Sequence, residues 1–399
     1  MQKERLWTRE FILTSFVNFL LILSMFALLV TLAPYTINVY NASMNIAGLV
    51  SSIFIVGALI GRLIAGWLLN RFGTKKLLVF GIFVFLVLNI FYFFRLNIYS
   101  LLVLRLLQGI GFGLGTNATG TIVSQIIPSN RSGEGIGVFS IGVVLSSALG
   151  PLVGTVLIKQ FNYEAIFIFS LLVGTIAFIL SFYIVSTEVE KRFESKHLSL
   201  KLRDFVEFRV VPISVVVFIA ALAYSSILSF VTTYAAESNL SDVTGYFFLA
   251  YSLVVLFTRP IMGKLMDVKG ENIIIFPSLG FFAIGMYLLS QASSNFMMIL
   301  AAMAIGLGYG NFQSITLAIA IRMTPIERMG LANSTYYVFL DVALGFGPFL
   351  IGYIIPLIGF RYLYLSFAWL ILFNALLYYF LFVLKNKNHK KGKHIPTQN

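Results

Sequence analysis

The chain has 399 residues, 59% of them hydrophobic and only 11% charged, with a mean hydropathy of +0.93 and a formal net charge of +13. Soluble domains carry about 25% charged residues, so a soluble enzyme and a disordered chain are both excluded and a polytopic helical membrane protein remains. The absence of cysteine removes disulfides, thiolate metal sites and cysteine nucleophiles.

Twelve apolar segments long enough to cross a bilayer follow one another, near 11–33, 45–69, 77–94, 99–127, 135–158, 163–186, 211–235, 243–266, 272–291, 295–321, 330–355 and 361–384. They are continuous, unlike the short alternating segments of a membrane barrel. The first follows the basic stretch from Lys3 to Arg9. Its core is too long for a signal peptide and no small-x-small site follows, so it is expected to be retained. Cationic residues collect on one side of these spans: Lys3, Arg5 and Arg9, then Arg71, Lys75, Lys76 and Arg131, the 187–210 segment, Lys264, Lys269, Arg322, Arg328 and the lysines after 384. Arg95, Lys159 and Arg361 stand on the other. The bias predicts cytoplasmic termini, and it makes the positive charge a topology signal beside anionic headgroups, not a nucleic-acid patch. His197, His389 and His394 lie in polar stretches, so no intramembrane histidine is available to a metal or a proton.

A gap-free offset of 197 residues aligns 61–155 with 258–352. It pairs Arg62 with Arg259, Gly66 with Gly263, Gly73 with Gly270, Arg131 with Arg328, and Gly150-Pro151 with Gly347-Pro348. Repeated glycines, prolines and buried arginines over three spans indicate duplication. The predicted organisation is an N-terminal six-helix bundle at 1–186, a charged linker at 187–210, and a C-terminal six-helix bundle at 211–399 ending in a basic tail. Parallel repeats of this kind build transporters that rock one half against the other about a central site.

The motifs lie on this frame in order. Gly66 to Lys76 includes Asn70, Arg71 and Gly73, with a second copy in Gly263, Asp267 and Gly270. The glycines at 73 and 270 suit sharp turns. Arg62 and Arg259 each precede their motif's acidic position by eight residues, about 12 Å of helix. In the fourth span, Arg105 precedes Gln108, Gly109, Gly111 and Gly113; the glycines are expected to pack closely against span one. Gly150-Pro151 in span five and Gly347-Pro348 in span eleven permit kinks or close crossings. Asp341 alone among fifteen acids falls near the middle of a span, about 16 Å past Gly330. Its repeat mate is Val144, and intramembrane carboxylates are costly enough to be functional. Ser334, Tyr337 and Asp341 share a helix face at i, i+3 and i+7. With Arg62 about 12 Å and Asp341 about 16 Å from the same boundary, the two are expected to pair across the halves.

These motifs resemble the signatures of the major facilitator superfamily over essentially the whole chain, and the glycine-proline pattern of span five resembles that of its drug:proton antiporters. The resemblance implies a twelve-helix secondary transporter that moves a small amphipathic compound outward against protons, in the plasma membrane of a bacterial-type cell. Uptake or exchange of a specific metabolite is the alternative, and a transport-dead sensor a distant third. Asn70 departs from the family's usual aspartate, which steadies a contact between halves at a helix N-terminus. Asp341, Arg62 and Arg105 are the candidates for proton coupling. Spans one, four, seven and ten line the cavity in the family, which nominates Asn18, Asn117, Tyr224, Tyr309, Asn311 and Gln313 for the substrate. The expected partners are substrate, protons and lipid, with the chain a monomer. No phosphate-binding loop, paired catalytic carboxylates or zinc cluster is present, so neither enzymatic activity nor a cofactor or metal is expected.

Overall fold

The computed structural model describes residues 6–42, 44–94, 97–185, 205–238, 240 and 243–384. Lys3, Arg5, Arg95, most of the predicted linker and the tail lysines lie outside the described residues, as does the side chain of Asn70.

The described chain is all-α. The first six helices are α1 (Arg9–Tyr40), α2 (Met44–Phe72), α3 (Thr74–Ile90), α4 (Ile98–Ile126), α5 (Ser132–Gln160) and α6 (Tyr163–Tyr183). After the linker come α7 (Val211–Glu237), α8 (Thr244–Lys269) and α9 (Asn272–Ser290). Next is α10 (Asn295–Arg322), which widens to a π-helix at Gly306–Gly310. A final rod runs from Met329 to Tyr378 and continues as a π-helix through Leu384. Gly359, at φ 73° and ψ 166°, breaks it into two arms, which we label α11 (329–358) and α12 (360–384). The sequence places a short loop there; a single glycine turn suffices.

Caps fix the ends where the apolar pattern stops. Thr8, Asn97, Asn162 and Ser294 each accept a hydrogen bond from a backbone N–H three residues on, at 3.2, 2.8, 3.0 and 3.3 Å, satisfying donors that a helix start leaves free. Gly73 and Gly270 both sit at φ 87°, the turn conformation their positions call for.

Within each bundle, glycines set the closest approaches. Gly109 and Gly113 face Phe54 and Ala58 of α2, and Gly111 faces Gly81 and Phe85 of α3. The expectation that this motif packs on span one is thus corrected. Residues four apart share one face, and here that face meets the small residues of α2. Gly150 lies against Phe26 and Ala27 of α1, while Gly347 lies against Ser225 and Leu222 of α7. Pro151 and Pro348 remain inside continuous helix, so these pairs serve as close crossings. The halves meet along two seams, α2 against α11 and α5 against α8.

Candidate functional site

Arg62 on α2 reaches across the first seam to Asp341 on α11, and Nη1 and Oδ2 form an ion pair. Their side chains are 11% and 14% exposed. Ser334 Oγ donates to the Arg62 carbonyl, and the guanidinium lies 4.8 Å from the centre of the Tyr337 ring. All three residues of the polar α11 face therefore converge on one arginine, and the contact expected from helical depth is present. Arg62 Nε has no partner among the described residues. A cavity of about 360 Å³ begins at Asp341, lined by Ser52, Ile55, Val56 and Leu59 of α2 with Gly345 and Phe346 of α11. By chain direction on both helices it leads away from the basic loops.

The second seam uses the repeat mates differently. Arg259 on α8 is 2% exposed. Its Nη1 donates to the Ser140 carbonyl of α5 at 2.6 Å, its Nε to the Gly310 carbonyl at 3.0 Å, and its Nη2 to Gln313 Oε1 at 3.3 Å. No carboxylate pairs with it among the described residues. Gly310 ends the π-helical turn of α10, a distortion often found at functional sites. Beside it, the Tyr224 ring stacks on Tyr309 at 4.0 Å and on Tyr251 at 5.6 Å.

At the loop end of this seam, Asp267 receives the backbone N–H groups of Gly133 and Glu134 at 2.8 and 2.9 Å. Those groups open α5, so the carboxylate sits where a helix N-terminus favours negative charge. Arg322 pairs with Asp267 and bonds Ser132, while Glu134 joins Arg131 at 2.7 Å and Lys264 at 3.4 Å. Gly263 touches Gly133 directly. On the first seam, Gly66 meets Leu331 and Ser334 instead, and Arg71 lies over Trp67 and Phe72 at 5.5 and 5.6 Å. Glu207, at the end of the linker, binds Arg328 and donates its N–H to Thr335 at 2.9 Å. Asn333 of α11 donates to Ser124 of α4 at 3.3 Å. The Asp267, Gly263, Gly66 and Asn333 contacts draw the halves together at the basic end, whereas Glu207 ties the linker to the second bundle.

The other nominated residues separate into groups. Arg105 is fully buried inside the first bundle, bonded to the Val50 carbonyl at 3.3 Å, to Gln108 at 2.8 Å and to Tyr92 at 3.4 Å, and 4.3 Å above Phe54. Gln108 continues to Asn89 at 2.8 Å. Arg105 is thus not brought to the Arg62–Asp341 pair. Asn18 accepts from Thr119 at 2.8 Å. The Asn117 Nδ2 group has no partner among the described residues. Asn311 is tied to Thr258 at 3.0 Å. Tyr224, Tyr309 and Gln313 gather around Arg259, whereas Asn18 and Asn117 belong to the opposite bundle. Sequence reasoning passed over Ser140, Tyr251, Glu134, Glu207 and Arg322. The offset of 197 could have found Ser140, because it is the mate of Tyr337.

Among the described residues, long apolar helices in repeat-related halves, with arginines crossing both seams, have the architecture of a polytopic membrane protein. The chain matches the family model described as Major Facilitator Superfamily over residues 14–277 and 241–398, and it belongs to that superfamily. It is 25% identical over 330 residues to the MFS-type transporter MJ1560 of Methanocaldococcus jannaschii, covering 79% of this chain and 84% of that one. It is 27% identical over 305 residues to the multi-drug resistance efflux pump PmrA of Streptococcus pneumoniae, covering 73% and 75%. The riboflavin transporter RibZ of Clostridioides difficile is 24% identical over 329 residues, with 67% and 71% covered. The human organic anion transporter MFSD10 superposes with a TM-score of 0.77 at 16% identity over 92% of this chain and 99% of that one. The proton:xylose symporter XylE superposes at 0.73 with 13% identity over 94% and 95%. At those identities the two structures speak for the fold alone.

Proposed function

We propose that this transporter exports small amphipathic compounds in exchange for protons, with Asp341 as the proton carrier. The observation that carries the reading is the Arg62–Asp341 pair, which ties the two halves at the inner end of a cavity. A proton arriving through that cavity neutralises the carboxylate and frees Arg62, so the bundles at 1–186 and 211–399 part at the basic end. Substrate binding from that side and deprotonation of Asp341 then restore the pair. The order follows from charge alone: a buried cation and anion hold each other, and a neutral acid holds the cation weakly. In this reading the basic loops, both termini and the 187–210 linker face the cytoplasm of a bacterial-type cell, and the chain works as a monomer. The efflux pump among the relatives supports the direction.

The test is transport in proteoliposomes with an imposed pH gradient. Asp341→Asn abolishes gradient-driven accumulation while counterflow of substrate persists. Full gradient-driven transport by that variant removes Asp341 from the mechanism. The riboflavin transporter among the relatives favours a second reading, uptake or exchange of one metabolite. Substrate movement down the proton gradient, in the same direction as the protons, identifies it.

A further inference from the structure

The two seams obey the same 197-residue offset, and it exposes a missing charge. Arg62 corresponds to Arg259, Tyr337 to Ser140, and Asp341 to Val144. On the first seam the arginine lies over residue 337 and pairs with residue 341. On the second it bonds the carbonyl of residue 140, the backbone group directly below residue 144 on an α-helix. Val144 is 6% exposed and shares a packed cluster with Tyr224, Tyr251 and Tyr309. The position that holds a carboxylate on one seam is therefore apolar on the other, and Arg259 is left as a buried cation satisfied by neutral groups. Burying an uncompensated cation is expensive, and such residues mark ligand pathways when they persist in a membrane.

The surroundings add polar groups that the first seam lacks. The offset maps Tyr251 onto Phe54 and Tyr309 onto Phe112, so the second bundle adds phenol groups where the first has plain rings. The Tyr309 hydroxyl is buried with no partner among the described residues. One of the Arg259 bonds comes from the opposite half, so it is given up when α5 and α8 part, and that N–H becomes available. Arg105, the other buried arginine without a carboxylate, differs here: its carbonyl and amide partners all belong to its own bundle, and rocking leaves them in place.

We infer that Arg259 is the anchor for an anionic group on the transported compound, and that the substrate class is an organic carboxylate whose planar apolar body packs against the outside of the Tyr224, Tyr251 and Tyr309 stack. The carboxylate replaces the Ser140 carbonyl at the guanidinium, and Tyr309 donates to it. Arginine suits this task because its planar fork matches a carboxylate. The assignment deepens the export reading and rests on it.

The experiment is thermal unfolding of the purified protein in detergent with 1-naphthoate, salicylate and indole-3-acetate, each against its own amide. For the wild type, at least one acid raises the melting temperature by several degrees where its amide does not. Arg259→Gln removes the preference and Arg259→Lys retains part of it. Val144→Asp supplies the missing carboxylate from within, so that variant unfolds at a higher temperature than Val144→Asn and no longer responds to the acids. A wild type that favours no acid over its amide overturns the assignment, as does a preference that survives in Arg259→Gln or in Val144→Asp. Should Arg259→Gln fail to fold, the Lys and Val144 variants give the reading by themselves. Unfolding requires no proton gradient, so a negative result here leaves Asp341 in place, and a failure of Asp341 in proteoliposomes leaves the anion site in place.

Discussion

The two seams are copies that distribute charge in opposite ways. Between α2 and α11 the ion pair is deep, Arg62 with Asp341, while four mouth residues have neutral mates, Trp67 for Lys264, Asn70 for Asp267, Gln125 for Arg322 and Leu331 for Glu134; only Arg131 keeps a charged mate, Arg328, which pairs with Glu207 of the linker. Between α5 and α8 the mouth is ionic, with Asp267, Arg322, Glu134 and Lys264 in one cluster, and the deep position lacks its acid. The repeat supplies one architecture twice, and a few differences at matched positions give the seams different charge patterns. In the proposed mechanism a proton acts on the deep pair without touching the mouth cluster. The mouth cluster, built partly on backbone N–H groups, is proposed to hold the other seam closed.

The sharpest way to break this contrast is to leave one deep charge alone. Arg62→Ala strands Asp341, and losing one partner of a buried pair costs about 3–5 kcal/mol. Folded yield by size-exclusion chromatography falls severely. Adding Asp341→Asn restores the yield without restoring gradient-driven transport. Asp267→Asn weakens two charge-assisted backbone bonds and the pairing to Arg322, each such bond being worth about 1.5–3 kcal/mol. Because the chain has no native cysteine, spin labels at single introduced cysteines near 131 and 264 can follow the mouth. Their separation shifts toward the longer population in that variant, and an unchanged distribution refutes the closing role.

A smaller effect is expected at the turn that ends α8. Gly270→Val costs about 1–3 kcal/mol, the scale of forcing a side chain into a backbone region that only glycine occupies readily. An added Cβ there meets nothing within 4 Å, so any loss of folded yield reports backbone strain alone, and wild-type yield shows that the turn uses ordinary angles. Smallest is Asn70→Asp, which restores an acid at the mouth of the first seam. A charge at a helix N-terminus contributes about 0.3–1 kcal/mol, and spin labels near 71 and 328 should record a modest gain in the short-distance population.

The long helices were legible because a span must satisfy its own backbone hydrogen bonds, which forces apolar runs of fixed length. Helical rise carried further, since it placed Arg62 and Asp341 within about 4 Å of each other in depth, inside the reach of an arginine side chain. Gly73 and Gly270 were legible for a local reason, the positive φ that each adopts. The glycines of α4 were read as close-packing residues but assigned to the wrong neighbour. Asp267 was recognised as an acid at a seam, yet its partners, the amide groups of Gly133 and Glu134, leave no trace in side-chain chemistry.

By itself, then, the sequence determined the long apolar helices, the internal repeat, the turns at Gly73 and Gly270, and how far along its helix each buried charge stands. All of these depend on spacing along one helix, which the covalent chain fixes. Tertiary structure decided the rest: that α4 lies on α2 and α3, that Arg105 takes its partners from its own bundle, that Arg259 spans a seam to a carbonyl, and that Glu207 reaches back to Arg328. In a membrane the lipid-facing and interior-facing residues are alike apolar, so hydrophobic pattern says little about which face meets which helix. Neighbours are chosen by the fit of small residues and by where a buried polar group finds its partner, and both are properties of two helices together.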